Sequence, residues 1–349
     1  MVKRREKPFS KTSVMFTPRK IRVKIVGLGG GGASIVSEIA RGFKNANFLV
    51  ADTDIKTIQK IKKGIKFFQF GERQTGGSGT GVNPDIAREA ALNEKEKIAK
   101  IFENQDLSIL IGSLGGGVCS GAGPVFAEIA KNKKCISLGI FTLPFGFEGD
   151  RKMAISKKAA ALLQDCLSGI IVVPNEKILQ ITDKKLPLKK SLSVLNQTFA
   201  SWLQDLLFVI LKPSLINIDF ADLRAILKDK GNVLFFGEGV GQGPNRAEEA
   251  LKNLFQNTLF ENQSFIAKRV LFNIAGSNGL KLKEVETIST AIANCNPRAK
   301  IIFGVTDCPS YREKIKIILL AVIQEKQEIK EKKSEKAEQD AAQKKNFKH

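Results

Sequence analysis

Three glycine clusters constrain this chain more than any other feature, because two of them join an apolar run directly to a helical stretch. Gly27-Leu28-Gly29-Gly30-Gly31-Gly32 follows the apolar run Ile21–Val26 and precedes a helix read over Ile35–Phe43. The stretch from Gly115 to Gly123 follows Leu107–Ile111 and opens a helix read over Gly123–Asn132. Between them, Gly76-Gly77-Ser78-Gly79-Thr80-Gly81 precedes a helix over Ile86–Glu103, introduced by Asn83 and Pro84. Glycines at a strand-to-helix turn let backbone amides approach a phosphate at the positive end of a helix. Alone, the first cluster satisfies G-x-G-x-x-G, and Asp52, twenty residues after Gly32, completes a dinucleotide fingerprint. A dinucleotide fold needs one such loop, whereas three on parallel strands can surround a triphosphate.

The runs Phe48–Ala51, Cys135–Leu143 and Gly169–Val173 continue the alternation of strand with helix. That order implies parallel βαβ units and a sheet covered on both faces. A long apolar helix over Leu186–Leu211 follows, carrying the lone Trp202, and then a short helix over Phe220–Lys228. Beyond it, strands Val233–Phe236, Val270–Ile274 and Ile301–Val305 and a helix over Asn245–Leu259 read as a second α/β domain. The division expected is a basic disordered arm (1–20), a nucleotide-binding domain (21–185), a central helix (186–211), a second α/β domain (212–322) and a charged disordered tail (323–349). No apolar run reaches about 18 residues, so no transmembrane helix is expected. The basic N-terminus lacks the apolar core of a secretory signal.

Composition then removes whole classes of chemistry. The single histidine is His349, the last residue, which excludes Ser-His-Asp triads, Cys-His dyads and His-ligated metals. Five cysteines without a CxxC pair indicate reduced thiols in a cytosol, with neither a disulfide framework nor a zinc site. The net charge of +21 favours anionic partners, although lysine is scattered along the whole chain and fits a general lysine bias equally well.

Five motifs, in order, carry a resemblance. Gly115–Pro124 resembles the signature loop G-G-G-T-G-[TS]-G-x-x-P of the FtsZ family of bacterial and archaeal tubulin-like GTPases. Asn217-Ile218-Asp219-Phe220-Ala221-Asp222-Leu223 resembles the family's N-x-D-F-A-D-[VL] synergy loop, and Phe145–Gly149, Val173–Lys177 and Arg246–Ala250 are similar to further family stretches. The likeness runs from about Ile21 to about Leu320.

The resemblance implies a tubulin/FtsZ-like fold: a Rossmann-like parallel-sheet GTPase domain, a central helix and a smaller α/β domain. It implies GTP or GDP with Mg²⁺ as ligands, the metal reaching the protein through the phosphates. Nucleotide contacts would come from Gly29, Gly30, Gly31, Gly32, Ala33 and Ser34, and from Asp54, Gly79, Thr80 and Gly81. Gly115, Gly116, Gly117, Val118, Cys119, Ser120 and Gly121 would cradle phosphate, Glu148 the ribose, Lys152 a phosphate, and Asn175 the base or sugar. Asn196 and Gln197 align with the pair in which the family usually places a carboxylate for guanine. Asp219 and Asp222 would activate water on a neighbouring subunit's nucleotide, with Asn217 beside it. Head-to-tail filaments of the chain with itself follow, in the cytoplasm at the division site of a prokaryotic cell, as the cytokinetic ring.

This chain departs from the family at particular residues. Val118 stands for the signature Thr and Cys119 for a Gly, so the Cys119 side chain would crowd the pocket or force a small shift of the loop. Lys152 replaces a phosphate-side Arg, with Arg151 beside it. No adaptor-docking peptide is recognisable in residues 325–349, which leaves other division proteins or an anionic membrane as partners through the termini. No specific nucleic acid is expected. Two rival readings are a structural paralogue that polymerises with little or no hydrolysis, motivated by Val118 and Cys119, and an NAD oxidoreductase built on Gly27–Gly32 and Asp52. The oxidoreductase gives the signature loop and Asp219–Asp222 no role.

Overall fold

The apolar runs assemble into one ten-stranded mixed sheet in the computed structural model, which describes residues 20–40, 43, 46–177, 185–256, 266–277 and 279–323. The first half comprises β1 (Val23–Leu28), α1 (Gly29–Ile39), β2 (Ala46–Asp52), β3 (Lys66–Gln69), α2 (Glu72–Thr75), α3 (Pro84–Asn93), α4 (Lys95–Ile101), β4 (Leu107–Ser113), α5 (Gly117–Asn132), β5 (Ile136–Leu143), α6 (Asp150–Cys166) and β6 (Gly169–Pro174). Then come α7 (Leu188–Leu211), α8 (Phe220–Ile226), β7 (Asn232–Gln242), α9 (Arg246–Phe255), β8 (Ala267–Gly276), α10 (Leu282–Cys295), β9 (Lys300–Asp307) and β10 (Lys314–Ile323). Strand order is β3-β2-β1-β4-β5-β6-β7-β10-β8-β9. The first six strands are parallel, and β7 joins β6 in parallel through Gly169–Asn232 and Ile170–Val233. β10 runs antiparallel between β7 and β8.

Burial explains the layers. One face of the first half packs under α3, α4, α5 and α6, with Phe70, Phe102 and Phe126 in contact. The other face packs under α1, α7 and α8, and this core continues into Leu234, Phe236 and Leu320 of the second half. Trp202 sits at that junction, fully buried between Phe199 and Phe236. By length and hydropathy α7 could cross a membrane, which the absence of a long apolar run in the sequence did not anticipate. Here its apolar face is the core of both halves.

Three sequence expectations change. α1 starts at Gly29 and α5 at Gly117, inside glycine runs that had read as loops because glycine disfavours helix interiors. The single helix expected over Ile86–Glu103 breaks at Glu94, whose carboxylate accepts the Gly71 amide at 2.9 Å. The segments forming β3, α6, α10 and β10 had not been read as elements, although β10 is central to its sheet. Residues 1–19 of the expected arm, the end of the helix over Asn245–Leu259 and the tail from 324 lie outside the described residues.

A buried ion cluster lies where α7 crosses the second half of the sheet. Lys316 of β10 sits 2.8 Å from Asp205 of α7 and 2.8 Å from Glu238 of β7, and Ser201 donates to Glu238 at 3.2 Å. One ammonium serves two carboxylates. Burial, and then the neighbouring Glu238, push Asp205 up to about 7 from its ordinary 3.8. Burial opposes the charge on Glu238 too, but hydrogen bonds from Asp205 and Lys316 hold it below its usual range. Because Asp205 binds its proton more tightly folded than unfolded, stability declines as pH rises from 3.8 through about 7. From about pH 5 upward Glu238, shifted down, and Lys316, shifted up, add no opposing change. Thermal unfolding from about pH 5 to about pH 8 should therefore show a falling midpoint, and Asp205→Asn should flatten it. An equally steep fall in the variant would assign the pH dependence elsewhere.

Candidate functional site

The C-terminal edge of the parallel strands opens into a cavity of about 400 Å³. In an open α/β sheet this edge is where ligands bind, because helix N-termini converge there. Leu28 ends β1, Asp52 ends β2, Ser113 ends β4, and all three line the cavity together with the first turns of α1 and α5. Neither helix has a side-chain cap at its N-terminus, and neither carries an acidic residue in its first turn. Their leading amides are left open to the cavity, where water or an anion can accept from them.

Glycine permits the two turns to meet. Gly29 adopts φ +70°, and a Cβ there would stand 3.2 Å from Val118 Cβ. A Cβ on Gly117 would fall 2.0 Å from Thr80 Oγ1, so the middle glycine loop lies directly against the start of α5. That loop also bridges Asp54 through Ser78.

The cavity wall includes Gly29, Gly30, Gly31, Asp54, Gly79, Thr80, Gly81, Gly115, Gly116, Gly117, Val118, Cys119, Glu148, Lys152 and Asn175 from the residues expected. Glu148 and Lys152 pair with each other at 3.0 Å, and Glu148 also accepts the Phe145 amide at 2.9 Å. Asn175 is buried at the end of β6.

The other expected contacts are not on this wall. Gly32 is packed against the Ile111 carbonyl, Ala33 is buried in the core beneath α1, and exposed Ser34 donates to the Gly30 carbonyl at 3.1 Å. Ser120 accepts the Gly115 amide at 2.9 Å, so its hydroxyl shapes the loop. Gly121 lies beneath the Pro84 carbonyl. Asn196 and Gln197 are on α7 and are not among the lining residues, and Gln197 is exposed with its amide toward Ser193.

Two further expectations are corrected. Cys119 does not crowd the cavity: its sulfur lies over Gly112, 2.4 Å from where a Cβ would be, and the side chain is buried in the core. Burial pushes that thiol far up, so it is not a nucleophile. Asp52, which the dinucleotide fingerprint used, lines the cavity but is engaged by its own loop. Its oxygens accept from the Thr53 amide at 2.7 Å, the Asp54 amide at 3.3 Å and the Thr57 hydroxyl at 2.8 Å. Thr57, Lys60, Ser78, Val82 and Ser113 line the cavity and had not been singled out. For Ser113, the last residue of β4, the strand-end rule was the available signal.

Asn217, Asp219 and Asp222 lie apart from the cavity. Because β7 starts beside the start of β6, the chain must return from the cavity edge to the opposite edge. α7, with 24 residues, carries it on the order of 36 Å. Asp219 then caps α8, accepting the Ala221 and Asp222 amides at 2.7 and 3.0 Å, while Asp222 accepts the Asp219 amide at 2.9 Å. This reciprocal box uses Asp219 Oδ1 and Asp222 Oδ2 and leaves one oxygen of each carboxylate outside it.

Residues 22–183 match the Tubulin/FtsZ family, GTPase domain, and residues 232–325 match the FtsZ family, C-terminal domain. The cell division protein FtsZ of Buchnera aphidicola is 31% identical over 88% of this chain and 81% of its own length. That of Coxiella burnetii is 30% identical over 87% of this chain and 79% of its own. The chain belongs to the FtsZ family. A solved FtsZ dimer from M. jannaschii aligns with a TM-score of 0.76 at 28% identity, covering 87% of this chain and 88% of that one. CetZ from Methanosaeta thermophila shares the fold, with a TM-score of 0.73 at 17% identity over 93% of each chain.

Within this FtsZ-family chain, the Cys119→Gly replacement should lower stability by about 2–3 kcal/mol, because it empties core volume and places glycine in a helix. Urea unfolding reads that loss. Unchanged stability, with tighter nucleotide binding, would mean that the side chain does face the cavity.

Proposed function

We propose that this chain is a GTP-hydrolysing, filament-forming division protein whose hydrolytic site is completed by a second copy. The observation that carries the reading is the pair of uncapped helix N-termini facing one cavity, in a chain matching the family's GTPase domain. Such amides offer many donors, and neither first turn carries a carboxylate of its own, which suits a triphosphate. Lys152 can exchange its partner Glu148 for phosphate, and that exchange frees Glu148 for sugar hydroxyls. Among the described residues no three His, Cys, Asp or Glu side chains gather to hold a metal. Mg²⁺ carried by the phosphates would need one or two carboxylates at most from the protein, and Asp54 on the wall is a candidate. When bound, Mg²⁺ supplies charge neutralisation at the phosphates.

Hydrolysis needs a positioned water, and the cavity wall offers Asp52, Asp54 and Glu148 as its carboxylates. Asp52 and Glu148 are engaged by their own loops. Asp219 and Asp222 have the required chemistry but stand at the other edge of the fold. A heterologous contact that brings one copy's Asp219–Asp222 to another copy's cavity completes the site, and repetition of that contact gives a filament. Their reciprocal cap fixes both carboxylates before the contact forms, so little reorganisation is needed on docking. The setting is the cytoplasm at the division site.

Val118 favours a slower variant of the same reading. Its methyl groups line the cavity where a hydroxyl could have donated to phosphate. Restoring the hydroxyl with Val118→Thr is the direct comparison.

Phosphate release per chain should rise steeply above a critical concentration, together with GTP-dependent sedimentation. Specific activity that stays constant down to monomer concentrations would overturn the shared site. Asp222→Asn keeps an acceptor for the Asp219 amide and removes the charge. It should bind GTP normally and lose most turnover, by about a hundredfold or more. Gly117→Ala should instead abolish binding, because its Cβ meets Thr80. If Asp222→Asn loses binding as Gly117→Ala does, Asp222 belongs to the chain's own cavity.

A further inference from the structure

A second and larger cavity, of about 710 Å³, lies on the other flank of α5 and shares no lining residue with the first. It is a groove between α3 and α6 with α5 as its floor. On α6, Arg151, Ala154, Ile155, Lys158 and Leu162 fall at helical spacing on one stripe, and that stripe faces the groove. Arg88 and Leu92 form the opposing wall on α3, and Pro124 and Val125 the floor. Leu92 and Leu162 are 45% and 46% exposed across from each other, and the wall is mostly apolar. A helix stripe of this kind ordinarily packs against something.

The rim carries both signs with an excess of one positive charge. Arg88, Arg151 and Lys158 border the groove and form no ion pair among the described residues. Asp85 and Glu128 also border it, which leaves three cations against two carboxylates. The groove's size falls within the range of roughly 300–1,000 Å³ typical of small-molecule sites, which are apolar with a few placed polar groups.

We propose that this groove is a ligand site for a free amphiphilic anion, an acyl or aryl body ending in one carboxylate or sulfonate. The apolar body lies along Val125, Ile155 and Leu162, and the anionic group meets Arg88 and Lys158 from opposite walls. The site is independent of the nucleotide cavity but adjoins it, because Ser120 lines the groove while its hydroxyl holds the Gly115 amide. The inference does not rest on hydrolysis or assembly.

Anilinonaphthalene sulfonate, which matches this chemistry and fluoresces when desolvated, is the probe for the full chain. Saturable binding at one site per chain is expected, displaced by dodecanoate and not by dodecanol, and retained with GTP present. Ala154→Trp fills the groove from an exposed position and should weaken the probe by more than about tenfold. Arg88→Glu with Lys158→Glu changes only exposed charges and should weaken it roughly five- to tenfold with an unchanged melting temperature. Four results would each overturn the proposal: displacement by GTP, equal displacement by dodecanol, binding unaffected in both variants, or no saturable binding. Self-association or anionic-vesicle binding lost in these variants, without probe binding, would give the groove to a second copy or to a membrane and would equally overturn it.

Discussion

The structure depends on bringing two helix N-termini together at one edge of a parallel sheet without a side chain between them. Each helix start carries unsatisfied amides and a partial positive charge. Packing them side by side requires that water or an anion reach the gap and that no Cβ obstruct the approach. Gly29 and Gly117 meet the second condition, since Val118 and Thr80 already occupy the space a side chain would need. The surrounding polar residues maintain this arrangement. Asp52 binds Thr53, Asp54 and Thr57, and Ser120 binds Gly115, so neighbouring loops hold the cavity open by internal hydrogen bonds.

α7 sets the second constraint. A parallel strand following β6 can start only at the far edge of the sheet, so the connection must span it. The same helix supplies the core shared by both halves and buries Asp205 against Glu238 and Lys316. A carboxylate kept partly protonated at neutral pH is an unusual joint between two packed units, and burial is its cause. At the end of this connection Asp219 and Asp222 cap a short helix. Capping alone accounts for their positions, and the oxygens outside the cap are what make a second role compatible with it.

The strand-helix alternation, the three glycine clusters and the motif order were legible from sequence because they are local. A turn requiring positive φ selects glycine, and a strand shows as an apolar run. The sides that residues face were not legible. Cys119 looked like an obstruction in a phosphate loop, but one turn of helix rotates its sulfur onto Gly112. Asp52 completed a dinucleotide fingerprint in the sequence, but its carboxylate is engaged by its own loop.

By itself the sequence determined five of the six parallel strands of the first half, the glycine turns at their ends and the family to which the chain belongs. These follow from backbone permissiveness and apolar periodicity, properties each residue carries with it. Only tertiary structure decided that helices begin inside glycine runs, that β10 inserts between β7 and β8, and that α3 and α6 leave an open groove over α5. Each of those outcomes depends on contacts between residues far apart in the chain, where packing and hydrogen bonding override local preference.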